Sequence, residues 1–171
     1  MRTFQAVVNA SPLPEHLVEF GAYLESQGRT DEAGQQFALV ETVRALFEAS
    51  GASDDLTMAL FAADHGDPAA ALAAAQAEYD RRQNVDSHDA LAWALHAAGR
   101  DAEALPHAQQ ATALGGRNAL FLYHRGVIEA ALGQDDQART SLAEALETNP
   151  YFSPLHAPRA EELLGSLGGR P

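Results

Sequence analysis

Seven histidines, 24 carboxylate side chains and no cysteine define the chemistry open to this chain of 171 residues. Without cysteine there is no thiolate nucleophile, no disulfide framework and no cysteine zinc site. His88 and His96 stand eight residues apart, about 12 Å along a helix at 1.5 Å per residue, too far for one ion to bridge. No H-x3-H, H-E-x2-H or carboxylate-histidine cluster with ligand spacing occurs, so no metal is expected. Asp86-Ser87-His88-Asp89 reads more simply as a helix start, with Asp or Ser as the cap and acids at the positive end of the dipole. Ser, His and Asp are all present, but no G-x-S-x-G elbow gives a nucleophile its context. There is no phosphate-cradling loop either: Gly115-Gly116 joins two helices, and Gly168-Gly169 belongs to the tail. No catalytic residue and no cofactor are expected.

Any site therefore depends on the elements that carry it. Ala occurs 36 times and Leu 21 times, against seven Val and one Ile. Ala and Leu lead the helix propensities, and β-branched residues favour strands, so the composition predicts an all-α protein. Four glycines near the ends of apolar-periodic runs are each followed five residues later by alanine: Gly28/Ala33, Gly66/Ala71, Gly99/Ala104 and Gly133/Ala138. Glycine reaches the left-handed conformation that stops a helix. The polar residues after it can cap the next helix, and the alanine sits where two antiparallel helices approach most closely. Helices are expected at about 14–27, 30–49, 53–65, 68–82, 86–98, 101–114, 118–132, 135–148 and 158–167. Residues 1–13 are expected to be irregular.

These residues resemble the tetratricopeptide repeat family, whose pattern is W-x2-L-G-x2-Y, then A-x3-F, then P. The first repeat reads Leu17-x2-Phe20-Gly21-x2-Leu24 and Ala33-x3-Phe37. The third reads Leu91-Ala92-x2-Leu95 and Ala104-x3-Ala108. The fourth carries Gly126, Ala138-x3-Leu142, Ala145 and Asn149-Pro150. The second is the least similar, with Met58-Ala59-x2-Ala62 and Ala71-x3-Ala75. The resemblance implies a right-handed superhelical array of four antiparallel helix hairpins, about 14–51, 52–84, 85–118 and 119–152. A C-terminal capping helix and frayed tail follow over 153–171. The beginning shows no obvious cap, which is similar to the C-terminal repeat block of a larger bacterial protein.

In such an array the first helices of the hairpins line a concave face. Trp93, the sole tryptophan, leans toward it, with Asp89 and His96 on the same stripe. The neighbouring repeats contribute Leu56 and Leu60 on one side, Tyr123 and Val127 on the other. One reading is a partner-binding groove with aromatic anchors and an acidic rim; the other is that Trp93 and Tyr123 simply pack between helices. Family members that clamp a partner's C-terminal carboxylates use Lys, Asn and Arg on this stripe. Val18, Ala22, Asp89 and Leu120 stand there instead, so that clamp is absent.

The net charge is −13, and all 11 cations are Arg. That disfavours nucleic acid and anionic lipid and favours apolar or basic protein segments. Arg81-Arg82 offsets a helix C-terminus. The apolar runs fall far short of the ~20 residues a membrane helix needs. Met1 to Glu15 carries no secretory h-region, so a cytoplasmic location is expected. Three functional readings remain: a non-enzymatic interaction module, a structural block without a ligand, and a homodimer formed through the N-terminal repeat face.

Overall fold

The protein, a computed structural model, is described over residues 2–51, 53–113 and 117–171. Gly115-Gly116 lies outside the described residues. Ten α-helices and no strand occur among them: α1 (Arg2–Ala10), α2 (Pro14–Ser26), α3 (Thr30–Ala49), α4 (Asp55–Asp64), α5 (Pro68–Arg81), α6 (Val85–Ala97), α7 (Asp101–Thr112), α8 (Ala119–Ala131), α9 (Asp135–Thr148) and α10 (His156–Ser166). Among the described residues no helix is long and apolar enough to cross a membrane.

Nine of these helices lie where the glycine punctuation places them, within a few residues at each end. The tenth, α1, corrects the expectation of an irregular segment over 1–13. Nine residues are too few to hold a helix in water, so packing supplies the stability. Phe4 stacks on Phe20 and Tyr23 at ring separations of 5.9 and 5.2 Å, and Val8, one turn further on, is buried. The outer face of α2, expected to lack a cap, is thus covered by α1.

The chain forms two compact units, Met1–Thr57 and Met58–Pro171. In the first, α2 presents Leu17, Phe20 and Leu24 to Ala33 and Val40 of α3, all buried. Gly21 allows the close approach, since a Cβ there would stand 2.2 Å from Phe37 Cε1. The second unit begins within α4. There α6 pairs with α7 and α8 with α9, while α5 packs on α6, α7 on α8, and α10 on α8 and α9. In α10, Ala160 and Leu164 bury themselves against the core built around Leu142 and Leu146.

The hairpin turns follow the glycine argument. Gly28, Gly66, Gly99 and Gly133 have φ of +72°, +86°, +72° and +70°. In all four the next residue's N–H reaches back five positions, Arg29 to Leu24, Asp67 to Ala62, Arg100 to Leu95 and Gln134 to Glu129, each at 2.9 Å, and at Gly28, Gly99 and Gly133 the glycine N–H closes the inner bond. This satisfies carbonyls the helix end would otherwise leave open. The expected acidic or hydroxyl caps of the second helices are found only at Asp67, whose side chain accepts from Ala70 N. Helices α3, α7 and α9 start at Arg29, Arg100 and Gln134 with no side-chain cap, and acids in their first turns oppose the dipole instead. At α6 the cap is Asn84 rather than Asp86 or Ser87. Ser87 is the third helical residue and closes a reciprocal capping box with Asn84 at 2.9 and 3.0 Å.

Two pairs of substitutions test this packing by thermal or urea unfolding. At Gly126 a Cβ would stand 2.8 Å from Leu142 Cγ and 3.3 Å from its backbone nitrogen. Gly126→Ala is expected to cost about 1–3 kcal/mol by overpacking. A Cβ at Gly34 meets nothing within 4 Å, so Gly34→Ala is expected to stabilise by roughly 0.5–1 kcal/mol. Ala104 is fully buried and Ala102 exposed. Ala104→Leu is therefore expected to cost about 1–3 kcal/mol and Ala102→Leu under about 0.5 kcal/mol.

Candidate functional site

The residues of the aromatic stripe converge with side chains from four helices of the second unit. Trp93, from the middle of α6, is 7% exposed, and Tyr123 of α8 is 4% exposed. The Trp93 ring lies between two imidazoles, stacked on His124 at 4.1 Å and on His96 at 4.9 Å. Its Nε1–H donates to Asp64 Oδ1 at 2.8 Å, from the end of α4. The other oxygen of Asp64 accepts from His156 Nε2 at 3.1 Å, at the start of α10. His156 stacks on Tyr123 at 5.0 Å, and Phe152 packs on the same ring at 5.6 Å. Beneath, Asp89 of α6 accepts from His124 Nδ1 at 3.0 Å through both oxygens, with each side chain about 1% exposed. Leu60, Leu120 and Val127 close over this core as partly buried residues.

The solvent-open groove expected at Trp93 and Tyr123 is thus filled by the protein's own side chains. The physical reason is that three residues not singled out in the sequence, Asp64, His124 and His156, supply partners for the tryptophan and carry α4 and α10 onto the same nucleus. Among the expected stripe residues, Asp89, Trp93 and Tyr123 are buried, while Leu60, His96 and Val127 are half-buried around them; Leu56 is half-buried at the start of α4. His96 Nδ1 bonds Asp101 Oδ1 at 2.5 Å.

The electrostatics follow from these contacts. Burial alone would raise the Asp64 carboxyl, but hydrogen bonds from His156 and Trp93 outweigh it and hold the group below its usual range. Burial pushes the Tyr123 phenol up to about 12, with the nearby Asp64 charge adding to it. Elsewhere in the unit, Glu78 is 4% exposed. Burial opposes its ionisation, yet Arg82 and Arg81 grip it and keep it low. The two arginines thus hold a buried acid as well as ending α5. His88 Nδ1 and His107 Nδ1 face each other at 3.0 Å, and burial lowers both imidazoles, His107 further through His88.

The two classes of shift act in one direction. Asp64 and Glu78 have folded values below their unfolded ones, so their contribution is present above about pH 4 and lost as acid protonates them. His88 and His107 resist protonation when folded, so below their ordinary 6.5 the unfolded chain gains protons the native state declines. The melting temperature is expected to be highest near neutral pH, to fall as the pH drops below 6.5, and to fall further below about pH 4. His107→Gln should flatten the first step and leave the second.

No family model matches this chain, and no curated protein matches it. A solved structure does: a thermophilic TPR protein from Thermus thermophilus aligns at a TM-score of 0.60 over 91% of this chain and 83% of that chain, with 23% sequence identity. The fold is that of a tetratricopeptide repeat array. Gly21 and Gly126 each lie pressed against a side chain of the following helix, Phe37 and Leu142. The nucleus around Trp93 joins side chains of α4, α6, α8 and α10.

Proposed function

We propose that this tetratricopeptide array is a protein-protein interaction module whose Trp93 nucleus serves as an internal brace and not as a ligand anchor. The observation that carries this reading is the burial of Trp93 between His96 and His124, with its indole N–H committed to Asp64. A partner segment then meets the half-buried residues around the brace, Leu60, His96 and Val127, rather than the indole itself. The charge of −13 favours a basic or apolar segment and makes its capture sensitive to salt.

The test compares capture of a native partner from extract by wild-type protein and by Leu60→Glu and Val127→Glu. Both variants add charge at the rim and leave the Trp93 hydrogen bond in place. Loss of the same captured protein in both, with helicity retained, supports the module. Capture unchanged in both contradicts contact at this rim. Burial of the indole equally favours a second reading, a structural block without a ligand, and absence of any saturable partner would put that reading in front.

A further inference from the structure

We infer that His88 and His107 form a two-imidazole site for a divalent transition-metal ion of the nickel or copper class. The pair bridges one hairpin, His88 on the first turn of α6 and His107 in the middle of α7, with Nδ1 atoms 3.0 Å apart. Two imidazole nitrogens bound at about 2.0–2.1 Å and at right angles stand about 2.9 Å apart, against about 3.3 Å at the tetrahedral angle. The observed separation puts both nitrogens within reach of one ion, and imidazole ligands suit Cu2+ and Ni2+.

In the metal-free pair one ring donates its Nδ1–H to the other Nδ1. Metal binding moves that proton to Nε2 of the same ring, and each ring turns its Nδ1 lone pair to the ion, with no net proton lost. Metal binding needs neutral imidazoles. Tyr79 of α5 sets its ring edge-on to both, at 5.1 and 5.2 Å. His107 also lines a cleft of about 410 Å³ together with Leu72, Gln76 and Glu103.

The other five histidines each have a different ring-nitrogen partner: Ser11 O for His16, Phe61 O for His65, and Asp101, Asp89 and Asp64 for His96, His124 and His156. Glu103 lies one turn before His107 but is held by Arg100 through two hydrogen bonds of 2.8 and 2.7 Å. No group of three or more candidate ligands gathers among the described residues, so two imidazoles and water complete the site.

The experiment is a calorimetric titration of the untagged full chain with Ni2+ at pH 7.5, repeated for His88→Gln, His107→Gln and His16→Gln. One saturable Ni2+ per chain is expected in wild type and in His16→Gln, with affinity at least tenfold weaker in each of the other two. No saturable binding, or binding that survives both substitutions, overturns the site. Independently of how the variants fold, Cu2+ bound to the wild-type chain is expected to show electron paramagnetic coupling to two imidazole nitrogens. Coupling to fewer than two overturns it as well.

Discussion

Trp93→Ala is expected to cost about 3–5 kcal/mol of folding free energy, the range for removing a buried large aromatic side chain. The loss has three sources in the structure. The indole fills the space between His96 and His124. It also packs beside Tyr123 at 5.9 Å. Its N–H is one of two hydrogen bonds that the half-buried Asp64 carboxylate accepts from this nucleus. Removing it leaves a cavity and takes a donor from a half-buried acid, and both effects run the same way. Urea unfolding followed by circular dichroism measures the change. A loss under about 1 kcal/mol would mean the ring is not packed as described.

Asp89→Ala is expected to cost about 3–5 kcal/mol, the range for breaking a buried pair by removing one partner. His124 has no exposed edge to fall back on, since its side chain is about 1% exposed and lies stacked beneath Trp93. Asp89→Asn keeps one acceptor oxygen toward Nδ1 and is expected to cost less, about 1–2 kcal/mol. The order of the two variants is the informative result. Equal losses would show that shape and a neutral acceptor contribute nothing here and that the carboxylate itself is required. The same unfolding measurement decides it.

What could be read from the sequence divides along the range of the interactions. Gly28, Gly66, Gly99 and Gly133 were legible because a helix-stopping left-handed residue is a local requirement, and each has the positive φ that requirement demands. Ala33, Ala71, Ala104 and Ala138 were legible because the glycine fixes where the closest helix approach falls, and all four are fully or almost fully buried. Pro150 follows the end of α9, where a proline cannot continue the helix. Helix α1 was not legible, since nothing local makes nine residues helical; its reason is Phe4 meeting Phe20 and Tyr23.

The nucleus was half legible. The period of the first helices aligns Trp93, Asp89 and Tyr123 on one side, but whether that side is open depends on what arrives from elsewhere. Asp64 and His156 are 92 residues apart, and no periodicity reports such a pair. The stripe through Leu56 and Leu60 does pass through Asp64 one turn further on, and following it would have placed a carboxylate near the indole. His88 and His107 had a signal of their own. They lie eleven residues before and eight after Gly99, on the two helices of the hairpin it turns. Testing the histidines for ligand spacing along a single helix overlooks a pair carried by two.

The most direct test of the account uses the sole tryptophan as its own reporter. Quenching of Trp93 fluorescence by acrylamide, a neutral quencher, is measured in the native protein and again in concentrated urea. A brace buried at 7% exposure predicts a native quenching constant several-fold below the unfolded one. A native constant equal to that of the unfolded chain would contradict the closed nucleus and return Trp93 to an open groove.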